Sequence, residues 1–100
     1  MYAKQAFFEA VSSLATSPDR IQTRLAYAGL KLSKLYRPKE DLPPEHLEEF
    51  LALMQELTSQ PAIGDGSPIQ ATTSKLTDEQ CKKLAERILS IYTDIMGGLA

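Results

Sequence analysis

The stretch TDEQCKKLAERILSIYTDIM, residues 77–96, decides the fold. Thr77 and Gln80 stand in the order of a reciprocal capping box, in which each side chain satisfies the other residue's backbone N–H. Asp78 and Glu79 come directly after Thr77 and set two acids at the positive end of the helix dipole. Beyond them Cys81, Leu84, Ile88, Ile91 and Ile95 recur at alternating steps of three and four, the spacing that keeps one helix face apolar. Ala85, Leu89 and Tyr92 widen that face to about 160° of the circumference at roughly 100° per residue. Gly97-Gly98 offers the left-handed residue that closes many helices, and Leu99 is placed to fold back on the last turn.

Three more helical segments lie upstream. Residues 3–15 carry Phe7, Val11 and Leu14 at helical spacing, with Phe8 at the edge. Ser17-Pro18 then reads as a cap followed by a proline at the first helical position, so the second helix is expected over 18–36. Its seam is Ile21, Leu25, Ala28, Leu32 and Leu35, too short for a coiled coil and suited to bundle packing. Gly29 interrupts it and marks a close helix crossing, while Arg37-Pro38 ends it. The third helix is expected over 44–58, burying Leu47, Phe50, Leu51, Met54 and Leu57 with its acids turned away. Residues 59–76 hold two prolines, two glycines and the run Thr72-Thr73-Ser74, and read as a long flexible loop in which Ile63 and Ile69 are isolated apolar positions.

The expected fold is therefore all-α: a small four-helix bundle with helices about 3–15, 18–36, 44–58 and 78–96, and a long flexible loop about 59–76. One hundred residues with 43% hydrophobic content suit a single domain spanning 1–100. The wide stripes admit two explanations. A central helix touches several neighbours, or the excess is buried in a homodimer.

No stretch approaches the ~20 apolar residues that cross a bilayer, and residues 1–9 lack the pattern of a signal peptide. Cys81 is the only cysteine, so no intrachain disulfide forms. These features point to a cytoplasmic chain that does not engage membranes.

Charge is segregated beneath a total of −2. From Asp19 to Lys39 six cations oppose one anion, a net of +5, whereas Glu40 to Glu56 hold six acids and no Lys or Arg, a net of −6. On the second helix Arg20, Arg24, Tyr27, Lys31 and Lys34 fall within about 80° of one another, a basic face with an aromatic inside it. Such a face suits an acidic partner or phosphates on which an aromatic stacks. On the third helix Glu45, Glu48, Glu49 and Glu56 form an acidic face with no base on the same helix, suited to a basic partner. Pairing of the two faces inside the molecule is the simplest way to neutralise both.

Catalytic and metal readings find little material. His46 is the only histidine, and Glu49 one turn away does not complete a metal site. Cys81 lies on the apolar stripe and reads as a buried structural thiol. Gly64-Asp65-Gly66-Ser67 lacks the Lys-Ser/Thr of a phosphate loop and the repeated acids of a calcium loop, and is a turn. A helix-turn-helix around Ser17-Pro18 would offer Arg20, Gln22, Thr23 and Arg24 to base edges, but lacks the usual glycine-containing turn.

The sequence thus leads to a non-enzymatic, protein-interaction chain (an adaptor, assembly factor or regulator) with no cofactor and no metal. Another protein is the expected partner and a second copy an alternative. A nucleic-acid-binding accessory protein using the basic face of helix two is the less favoured function, and an enzyme with a carboxylate site stands behind both.

Overall fold

The computed structural model describes residues 2–35 and 37–97. Among them six helices follow one another: α1 Ala3–Thr16, α2 Ile21–Leu32, α3 Pro38–Asp41, α4 Pro44–Leu57, α5 Pro68–Thr73 and α6 Asp78–Ile95. No strand occurs among the described residues. The four long helices are those the sequence predicts, and α3 and α5 are additions. The expectations for Gly98 and Leu99 lie outside the described residues. Gly97, at φ +97°, takes the left-handed conformation expected just past α6.

α1 and α2 form a close antiparallel pair in which Lys31 lies by Glu9 and Arg24 by Leu14. The buried residues of α1 are Ala3, Ala6, Phe7 and Ala10, and α2 buries Ala26, Ala28 and Gly29 beside Leu25 and Leu32. Small side chains let two helix backbones approach, which is why these alanines are core positions. α6 runs through the middle, packing on α1, α2 and α4. Its Cys81, Leu84, Ile88 and Ile91 are buried as the stripe predicts. The Thr77 capping box forms, with Gln80 N–H donating to the Thr77 hydroxyl at 3.1 Å and Thr77 N–H donating to Gln80 Oε1 at 2.9 Å. Phe7 meets Phe50 edge to face at 5.9 Å between ring centres, tying α1 to α4.

The structure corrects four details. α2 begins at Ile21, because the Ser17 hydroxyl accepts from Asp19 N–H at 3.3 Å and donates to the Asp19 carboxylate at 3.0 Å instead of capping a helix. It also stops at Leu32, where Ser33 Oγ donates to the Leu30 carbonyl, although Leu35 beyond it is still buried. On α4 the buried face is Phe50, Leu53 and Leu57, while Leu51 is 49% exposed. One residue on from Phe50 is about 100° around the helix, which carries Leu51 off the core seam.

The fourth correction concerns residues 59–76, which are not one long flexible loop. Ser67 and Gln70 form a second capping box, with reciprocal bonds of 3.1 Å, and Pro68 occupies the first position of α5. Ile69, Ala71, Thr72 and Thr73 are buried. α5 packs on both α2 and α4. A Cβ built on Gly29 would meet Ile69 Cγ2 at 3.0 Å and Leu57 Cδ1 at 3.6 Å, so the glycine does mark a close approach, made by α5 and the end of α4. Ile63, in the irregular part of the segment, is 67% exposed.

Candidate interaction surfaces

The basic face of α2 divides lengthwise. Arg24 and Lys31 lie on the side toward α1. Arg24 Nη1 donates to the Leu14 carbonyl at 2.8 Å, satisfying a backbone acceptor in the last turn of α1, while its buried Nε has no partner among the described residues. Lys31 Nζ stands 3.6 Å from Glu9 Oε1. Arg20 and Tyr27 line a shallow cleft with Gln70 and Ser74 of the α5 segment, and Arg20 also lines a second cleft with Arg24, Asp78 and Glu79. Lys34 is exposed beyond the end of the helix. Two of the four predicted cations thus serve the fold. Gln22 is buried and ties α2 to the start of α6, its Nε2 donating to Leu76 O at 3.1 Å and Asp78 Oδ1 at 2.8 Å. With Gln22 and Arg24 engaged internally, the polar set a recognition helix would present is broken up.

The acidic face of α4 meets a different fate. Glu56 pairs with Arg87 of α6. Glu45, Glu48 and Glu49 are exposed, and no cation among the described residues lies within ion-pair distance of them. α4 packs on α3, α5 and α6, and its acids do not reach the cations of α2. Their arrangement follows from the helical period: Glu45, Glu49, Ala52 and Glu56 form one row, and Pro44, Glu48, Leu51 and Gln55 the row beside it. Leu51 therefore stands as a half-exposed apolar side chain beside a run of carboxylates.

A third surface was legible only as an excess of apolar residues. Val11, Leu14 and Ala15 of α1, Ile21 of α2, and Ala85 and Leu89 of α6 line an open groove of about 470 Å³, with Lys82 and Glu86 on its rim. Leu89 is 50% exposed, and Phe8, one turn from Val11 on α1, is 57% exposed. The widening residues of the α6 stripe are thus only partly absorbed, even though α6 is central. The sequence could not place this groove because α6, which supplies one wall, is distant along the chain from α1 and α2, which supply the other.

No family model, curated protein or solved structure matches this chain. Its surfaces are therefore interpreted from their own chemistry.

The remaining chemical groups sit apart from one another. His46 Nδ1 is buried without a hydrogen bond and stands 4.0 Å from Asp94 Oδ2, joining the start of α4 to the end of α6. No group of three His, Cys, Asp or Glu side chains suited to a metal occurs among the described residues. Cys81 is a fully buried free thiol. Burial pushes its pKa above the ordinary 9.0, the Asp78 carboxylate adds to that, and Arg20 opposes it, so the thiolate that reactivity requires is disfavoured. No described helix is long and apolar enough to cross a membrane.

Proposed function

We propose that this chain is a non-catalytic helical module that binds another protein through the outer face of α4, recognising a basic segment of its partner. The observation that carries the reading is that Glu45, Glu48 and Glu49 remain exposed, with no ion-pair partner among the described residues, next to the half-exposed Leu51. Carboxylates of one sign steer a cationic partner and fix its register. Leu51 adds an apolar anchor, and burying its exposed half returns on the order of 1 kcal/mol. Arg20, Tyr27 and Lys34 are the parts of the basic face left for an acidic partner. The cytoplasm is the compartment that fits a single cysteine kept as a buried thiol.

The nucleic-acid reading rests on the same α2 stripe and is the weaker one, because Arg24 and Lys31 are engaged with α1. Affinity capture from cell extract, comparing the native chain with Glu48→Lys/Glu49→Lys and Arg20→Glu/Lys34→Glu variants, tests the choice. The proposal expects one protein lost on reversal of α4 and released as salt rises. Capture of nucleic acid, lost on reversal of α2 alone, would overturn it.

A further inference from the structure

We infer that the groove between α1 and α6 is a self-interface, closed by a second copy of the chain packed about a two-fold axis. The groove walls are aliphatic, and Leu89 projects beside them half exposed. Its rim carries Lys82 and Glu86, one turn apart on α6 and opposite in sign. A rim holding one charge of each sign matches a copy of itself, because in a two-fold interface each residue meets its counterpart reciprocally. A partner of single charge would satisfy one of the two and repel the other. Antiparallel packing of the two α6 helices, centred between Ala85 and Glu86, lays Leu89 of each copy over the groove of the other. The same pairing brings Lys82 within a turn of Glu86 in the second copy.

The acids of α4 lie outside this groove, so the inference stands or falls independently of the proposed partner surface.

The test is mass in solution by light scattering, from micromolar to millimolar chain concentration and at low and high salt. The native chain is expected at twice its 11.1 kDa mass at both salt levels, because the contact is chiefly apolar. Leu89→Glu should halve the mass. Ala15→Arg, at an exposed groove position, should do the same and serves if the first variant fails to fold. Lys82→Glu should weaken the dimer at low salt, and Lys82→Glu/Glu86→Lys should restore it. A single-chain mass at every concentration overturns the inference, as does a dimer indifferent to both groove substitutions.

Discussion

α2 and α4 carry opposite charge, stand close in the sequence and differ in what the fold does with that charge. The cations of α2 nearest α1 are engaged in holding the α1–α2 pair together, through the Leu14 carbonyl and Glu9. The acids of α4 are left outward, except that Glu56 meets Arg87. Opposite charge in neighbouring segments therefore does not bring two helices together. Side-chain volume and packing choose the neighbours, since exposed ion pairs contribute only ~0–1 kcal/mol. Here α5 packs on both α2 and α4, with Ile69 against Gly29. The segment with the least helical signal is thus the one that packs against both charged helices.

The contrast between inner and outer α4 gives the largest expected effect. Leu53→Ala, at a fully buried position, should destabilise the chain by about 2–5 kcal/mol in urea unfolding. Leu51→Ala should cost under ~1 kcal/mol, since half of that side chain is already in water. Equal costs would break the assignment of Leu51 to the binding face. The α5 wedge is tested next by Gly29→Val, whose added carbons must displace Ile69. A loss of about 1–3 kcal/mol is expected from overpacking. An unchanged stability would show that α5 does not press on α2.

A smaller effect concerns Cys81, which Arg20, at the start of α2, fails to turn into a thiolate. Its folded-state pKa is raised, so the stability held by the neutral thiol is present below 9.0 and is lost as pH rises through the folded value. Urea midpoints should accordingly fall on the alkaline side, with a shallower fall in Cys81→Ala. Parallel slopes in the two proteins would contradict this. The smallest expected effect is the coupling of Glu9 and Lys31, which a double-mutant cycle should place at about 0.2–1 kcal/mol and which salt should reduce.

How far the sequence could be read depends on the range of the interactions involved. The Thr77–Gln80 box and the α6 stripe are local patterns and appear in the structure as expected. Ser67-Pro68-Ile69-Gln70 is the same kind of pattern, a hydroxyl cap, a proline and a glutamine three residues on. It is obscured by glycines and prolines around it and by a helix of only six residues. Ala3, Ala6 and Ala10 go unnoticed as core because alanine is only weakly apolar. Their burial follows from the close approach of α2. The acidic row on α4 is legible from periodicity alone, whereas the commitment of Arg24 to Leu14 and the walls of the α1–α6 groove depend on tertiary neighbours that periodicity does not specify.

The central claim is that Arg24 and Lys31 of α2 serve folding, whereas Glu45, Glu48 and Glu49 of α4 have no ion-pair partner among the described residues. Comparing urea unfolding of Arg24→Gln/Lys31→Gln with that of Glu48→Gln/Glu49→Gln tests it most directly. The α2 variant should lose about 2–4 kcal/mol, from a charged hydrogen bond and a partly buried ion pair, and the α4 variant should stay within about 0.5 kcal/mol of the native chain. Equal losses, or a larger loss from α4, would contradict the division.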